Sequence, residues 1–264
     1  MKKITPSSQR SSAPSGWGET IRTLLVAGAI AIGFRSFVAE PFNIPSGSMV
    51  PTLLVGDYLF VSKFSYGYSR YSFPFGVAPI SGRLFEDKPK RGDVAVFRLP
   101  SDTSIDYIKR VAGLPGDNIQ ILGGVLHINN KAVTRQLVGK GHYQHGTREI
   151  QTNLYLETFP EGKTHIIQEV GDNQLFDNTP IFTVPDDHYF MMGDNRDNSR
   201  DSRSGSVGFV PIENFIGRAK FLFFSHDNNA SFWEVWKWPT SIRLSRIGSG
   251  TVSYTHLRAH ETRT

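Results

Sequence analysis

The dipeptide Gly-Asp occurs at positions 56–57, 92–93, 116–117, 171–172 and 193–194. The first three copies run straight into Tyr58-Leu59-Phe60-Val61, Val94-Ala95-Val96-Phe97 and Asn118-Ile119-Gln120-Ile121. A turn dipeptide followed by β-branched and aromatic residues predicts short strands joined by tight turns. Leu122-Gly123-Gly124-Val125 and Ile128-Asn129-Asn130-Lys131 have the form of two-residue hairpin connections. Helical periodicity is nearly absent between residues 50 and 210. The expected fold is therefore mainly β, an antiparallel sandwich or barrel-like core. The spacing of the turns is too irregular for a repeat architecture.

Ahead of this region lies the chain's one long apolar stretch. Residues 23–34 are uncharged and bounded by Arg22 and Arg35. As a helix they reach only about 18 Å, but extension from Trp17 to Phe37 gives about 31 Å, enough for a hydrocarbon core of roughly 30 Å. Glu19, Arg22 and Arg35 would then snorkel to the interfaces. Lys2, Lys3, Arg10 and Arg22 precede or open the span, which predicts a cytoplasmic N-terminus and everything after about Glu40 outside. A cleaved leader is the competing reading, but Phe37 is too large for the −3 position of a cut before Glu40. The third reading is a buried soluble helix. The expected organisation is a disordered tail at 1–16, a transmembrane anchor at 17–40 and an outward-facing domain at 41–248. A β-rich insertion is expected at about 139–180, with strand-like islands at 150–156 and 164–170.

Composition narrows the chemistry. With 39% hydrophobic residues and 19 Phe, the chain has enough apolar material for a core. The net charge of +5 is scattered and accompanies no nucleic-acid motif, so no nucleic-acid partner is expected. Cysteine is absent, which excludes disulfides and thiolate catalysis.

Two serines occupy a Pro/Gly turn, Ile44-Pro45-Ser46-Gly47-Ser48-Met49, shortly after the apolar stretch. A serine hydroxyl needs a base within hydrogen-bond reach. The eight histidines provide no evident partner: His188 is near the acidic loop, and His127, His142, His145 and His165 lie in or beside the insertion. His142 and His145 have metal-like spacing but no further ligands, so no metal and no cofactor are expected. Lysine can serve if burial makes its ammonium unstable. At the unperturbed pKa roughly 0.4% is neutral at pH 8, and a drop of about two units raises that to roughly 30%. In Asp106-Tyr107-Ile108-Lys109-Arg110, strand geometry puts Lys109 on one face with Tyr107 and Val111. A third segment, residues 193–203, packs Asp194, Arg196, Asp201 and Arg203 close together. It fails the calcium-loop pattern, because Arg196 stands where an oxygen ligand is needed and Ser199 where Gly is needed.

These segments, in this order from about Arg35 to Phe224, resemble bacterial type I signal peptidase. The resemblance implies a membrane-bound endopeptidase that removes signal peptides from exported preproteins after small residues at −3 and −1. By residue, it implies Ser48 as nucleophile and Lys109 as general base. The Ser48 N–H and the Ser46 hydroxyl would form the oxyanion hole. Ser199 would hydrogen-bond and aim Lys109, while Asp194, Arg196, Asp201 and Arg203 hold the loop through ion pairs. Ile44, Pro45, Met49, Leu53, Tyr107 and Ile108 would build shallow apolar pockets for the substrate. Preprotein signal peptides and the lipid bilayer are the implied partners; contact with the secretion translocon is left open. The implied location is the bacterial inner membrane, single-pass, with the catalytic domain on the periplasmic face.

Two rivals share parts of this pattern. A soluble self-cleaving repressor would carry a helix-turn-helix where the apolar stretch stands, and a non-enzymatic anchored β domain would lack Ser48 or Lys109. Near the end, Phe232, Trp233, Trp236 and Trp238 with Arg243 and Arg246 suit a headgroup layer or a β core. Residues 249–264 lose the family's character and read as a non-native tail.

Overall fold

The computed structural model describes residues 16–73, 76, 78–145, 148–227, 236 and 238–251. Most of the expected 1–16 tail, Phe232, Trp233 and residues 252–264 lie outside them. Helix α1 (Trp17–Phe37) has the extended length read from the sequence, and it is apolar enough to cross a membrane. Its side chains are exposed almost throughout, with Leu24, Leu25 and Ile30 each more than 60% accessible, unlike a helix buried in a soluble core.

The remainder is mainly antiparallel β. A seven-stranded sheet has the order β1 (Ala39–Asn43), β2 (Asp57–Ser62), β14 (Phe215–Ser225), β3 (Val94–Leu99), β4 (Asp102–Gly113), β12 (His188–Met192) and β13 (Val210–Pro211). A four-stranded sheet joins β11 (Phe182–Thr183), β5 (Asn118–Leu122), β6 (Val125–Ile128) and β7 (Lys131–Ala132). A three-stranded sheet contains β10 (Thr164–Glu169), β9 (Arg148–Thr158) and β8 (Thr134–His145).

Three of the five Gly-Asp dipeptides share one physical explanation. Gly56, Gly92 and Gly116 take φ of 88°, 85° and 84°, a conformation that favours residues lacking a Cβ. At each, the following Asp donates its N–H to the carbonyl three residues earlier, on Leu54, Lys90 and Leu114. Its carboxylate accepts the N–H of that same residue, at 2.8, 3.1 and 2.7 Å. The motif is a self-closed turn that launches a strand. The two hairpins also form as expected: Leu122 faces Val125 and Ile128 faces Lys131, with all four turn residues at positive φ.

Alternation along β3 packs both faces of the large sheet. Val94 and Val96 join Ile44, Met49, Leu53 and Leu59 on one side, and Ala95 and Phe97 join Val111, Tyr189 and Phe215 on the other. A third cluster ties Phe190 and Met192 of β12 to Ile119, Ile121 and Leu126 of the four-stranded sheet.

The three-stranded sheet overlaps the expected insertion and extends a few residues ahead of it. Strand β8 starts at Thr134, and Val138 sits in a bulge between Leu137 and Gly139. The anticipated islands at 150–156 and 164–170 fall on β9 and β10. At the other end, Ser249 and Thr251 bond to the backbone of Leu222 and Lys220, so these residues complete the edge of β14. Arg246 forms an ion pair with Asp57 at 2.6 Å, which commits it to the domain instead of a headgroup layer.

Candidate active site

Ser48 lies in a single 3₁₀ turn (Gly47–Met49) between β1 and β2, and Lys109 lies midway along β4. Both are buried, at 7% and 3% exposure. Lys109 Nζ sits 2.8 Å from Ser48 Oγ and 2.9 Å from the Ile108 carbonyl oxygen. The amine also stands 5.0 Å from the centre of the Tyr107 ring. No ion pair to Lys109 occurs among the described residues. Burial is the dominant influence, and it lowers the lysine pKa from 10.5 to about 8 against the weaker opposing pull of Asp201 and Asp194.

The turn is fixed from behind. The Asn195 N–H donates to the Ser48 carbonyl and its side-chain amide donates to the Gly47 carbonyl, each at 3.1 Å. Gly193 permits this approach, because a Cβ there would lie 2.2 Å from Ser199 Oγ and 2.5 Å from the Ser48 carbonyl oxygen. Ser46 is extended and exposed, its hydroxyl 3.4 Å from that of Ser48.

Asp194, Arg196, Asp201 and Arg203 are all engaged. Asp194 receives Arg110 in a bidentate pair at 2.8 and 2.7 Å and accepts the Thr52 hydroxyl at 2.5 Å. Burial pushes its carboxyl pKa up, but Arg110 outweighs burial and holds it below the usual range. Asp201 is gripped by Arg203 through two contacts of 2.9 Å and accepts the Gly193 N–H at 3.0 Å. Arg196 pairs with Glu157 of β9. Ser199 is buried beside Gly193, but its hydroxyl makes no hydrogen bond to Lys109. The amine is instead held by the Ile108 carbonyl, from the residue next to it in the chain.

In front of the dyad opens a cleft of about 470 Å³. Ile44, Pro45, Tyr107 and Ile108 line it with Phe42, Val96, Asp106, Asn198 and Arg200. Met49 and Leu53, also expected here, are fully buried in the core. Their apolar character serves packing beneath the serine turn. Strand β1 is the edge of its sheet. The stretch of β4 before Arg110 pairs only with β3, because β12 engages residues 110–113. Two open strand edges thus face the cleft.

Sequence reading missed Thr52, Arg110, Asn195, Glu157 and His165. Only Arg110 carried a local signal, as the neighbour of Lys109. His165 is fully buried, stacked on Phe159 with ring centres 4.8 Å apart. Burial and Arg110 lower its pKa, so it is neutral near pH 7. No cluster of His, Cys, Asp or Glu among the described residues could hold a metal.

A β domain with a buried serine–lysine contact at the floor of an apolar cleft defines a serine endopeptidase. Residues 17–224 match the family "Signal peptidase, peptidase S26". The chain is 39% identical over 262 residues to Signal peptidase I of Rickettsia conorii (strain ATCC VR-613 / Malish 7), covering 92% of this chain and 95% of that one. With Signal peptidase I of Rickettsia typhi (strain ATCC VR-144 / Wilmington) it shares 42% over 237 residues, covering 83% and 88%. A solved signal peptidase I from Enterococcus faecalis V583 is similar over 50% of this chain and 97% of that one, at 23% identity and a TM-score of 0.30. The chain belongs to the signal peptidase I family.

Proposed function

We propose that the protein cleaves signal peptides from exported preproteins with Ser48 as nucleophile and Lys109 as general base. The observation that carries this reading is the 2.8 Å contact between the serine hydroxyl and a buried amine that has no ion pair among the described residues. As an ammonium, Lys109 donates to Ser48 and to the Ile108 carbonyl. Once neutral, it keeps the Ile108 bond and turns a lone pair toward the serine O–H. Ser48 Oγ attacks the scissile carbonyl carbon while its proton moves to Nζ. The Ser48 N–H and Ser46 hydroxyl stabilise the developing oxyanion. Lys109 then protonates the departing amine of the mature protein, leaving a seryl ester. Neutral again, the lysine takes a proton from water as the hydroxide adds to the ester carbon. It then gives that proton to Ser48 Oγ as the C–O bond breaks, which frees the signal peptide's carboxyl end and restores both side chains.

The substrate strand adds to the open edges of β1 and β4, gaining affinity from main-chain bonds. Shallow apolar walls of Ile44, Pro45, Tyr107 and Ile108 favour small residues at −1 and −3. Helix α1 anchors the chain in the bacterial inner membrane, with the N-terminus cytoplasmic and the catalytic domain on the periplasmic face. Its length and its exposed apolar surface support this arrangement.

The test is cleavage of a purified preprotein by the full chain in detergent, with N-terminal sequencing of the product. Wild type should cut after a small-X-small site, and Ser48→Ala and Lys109→Met should be folded but inactive. Cleavage that survives in either variant would remove that residue from its role.

A further inference from the structure

The insertion makes a continuous mechanical connection to the nucleophile. Glu157 on β9 and Arg196 in the 193–203 loop are both buried, at 1% and 3% exposure, and form an ion pair. His165 on β10 sits against the same carboxylate, Nε2 to Oε1 3.3 Å. Main-chain contacts run alongside. The Gln168 N–H donates to the Asp194 carbonyl at 2.8 Å, Gln168 pairs with Asn195 in a parallel bridge, and the Val170 N–H donates to Asp197 Oδ2 at 2.6 Å. Asn195 is also the residue that holds the carbonyls of Gly47 and Ser48. The path from the insertion to the nucleophile is thus β10 to Asn195 to Ser48.

The chemistry of the pair suits a brace. Burial alone would drive Glu157 toward its neutral form, but the Arg196 guanidinium outweighs burial and holds it ionised, its pKa well below the usual range. A buried ion pair adds little net stability against an apolar substitute, yet it penalises every arrangement in which either charge loses its partner. That property fixes one position of the loop relative to the sheet.

We propose that the three-stranded insertion sheet braces the nucleophile turn, with Glu157 and Arg196 as positioning residues that act on Ser48 through Asn195. The inference rests on Ser48 being the nucleophile. A displacement near 1 Å at a reacting group can cost about a hundredfold in rate. Neutralising the brace is therefore expected to lower single-turnover kcat by roughly ten- to a hundredfold while KM changes by less than about twofold.

The experiment compares Glu157→Gln, Arg196→Gln and the double variant in the full chain, on a purified preprotein, at matched concentrations of folded enzyme. Each single variant should lose stability, because one buried charge is left alone. The double variant should regain stability yet keep a low kcat, no lower than the worse single. Stability restored together with wild-type kcat would reduce the pair to a structural role and overturn the proposal. Losses that multiply in the double variant would also overturn it, since the two residues would not be acting as one unit. If the single variants fail to fold, Asp197→Ala decides: it removes the carboxylate that accepts the Val170 and Gly171 N–H groups at the end of β10 and leaves the Glu157–Arg196 pair in place. A lowered kcat with an unchanged melting temperature supports the brace, and wild-type kcat refutes it. Lys140→Ala, on the exposed part of β8, should leave kcat unchanged, and a fall there would refute a localised path. Ser48→Ala run in parallel separates the two readings: its survival as an active enzyme would defeat the nucleophile assignment itself.

Discussion

Replacing Lys109 with Met should stabilise the protein while abolishing cleavage. The amine is 3% exposed, has no counter-ion among the described residues, and titrates near 8 in the folded protein against a usual 10.5. That gap corresponds to roughly 3 kcal/mol of instability carried by the charged amine. The sign follows from proton binding. Between about pH 8 and 10.5 the unfolded chain holds more protons than the native one, so native stability rises with pH across that window. The burden is full below about pH 8 and gone above about 10.5. Methionine fills nearly the same volume without a charge, so the variant should gain roughly 3 kcal/mol at pH 7 but only about 1 at pH 10. For a domain of this size, 3 kcal/mol corresponds to about 6–12 °C in melting temperature. Thermal unfolding of both proteins in one detergent, at pH 7 and pH 10, measures the difference directly. A variant that melts at or below wild type at pH 7, or a gain that does not shrink at pH 10, would refute a destabilised ammonium.

Three further outcomes are expected. Cleavage at sub-saturating preprotein should rise about ninefold between pH 7 and pH 9, as the neutral fraction of Lys109 grows from about a tenth to about nine-tenths; a flat profile across that range would exclude this base. Asp194→Asn should cost about 3–5 kcal/mol in denaturant unfolding by stranding the buried Arg110, and should move the acid limb of the pH profile downward, because Asp194 raises the Lys109 pKa. Gly193→Ala should lower the denaturation midpoint by about 1–3 kcal/mol equivalent and slow cleavage, since its Cβ would strike the Ser48 carbonyl and the Ser199 hydroxyl.

What could be read from the sequence was local. Gly-Asp turns, two-residue hairpins and the apolar helix each depend on neighbours along the chain, and each formed where the pattern placed it. The serine turn and the lysine strand were legible for the same reason, as was the face that Lys109 shares with Tyr107. Contacts between distant segments were not. Thr52 meets Asp194 across 142 positions and Glu157 meets Arg196 across 39, and no periodicity marks either pairing. Met49 and Leu53 were read as pocket because an apolar residue beside a reactive serine looks the same whether it faces the cleft or the core. The start of β8 was not legible for a related reason: Gly139 adjoins a bulge inside that strand, and a bulge and a strand boundary have similar local chemistry.

The arrangement of charge around Ser48 and Lys109 suits the proposed use of a lysine as base. Two carboxylates, Asp194 and Asp201, influence Lys109 enough to oppose its lowered pKa. Either one in direct contact would form an ion pair and keep the amine charged. Each is instead occupied by an arginine, Asp194 by Arg110 and Asp201 by Arg203, in bidentate contacts that match the carboxylate's geometry. Each guanidinium meets both oxygens of its carboxylate, so neither carboxylate has an oxygen left over for the amine. Lysine is left with a hydroxyl and a carbonyl as partners, neither of which carries the charge needed to offset burial. The dense alternation of acids and bases in residues 193–203 thus does two things: it pins the loop that holds Ser48, and it keeps the local carboxylates away from the amine that the proposed mechanism deprotonates.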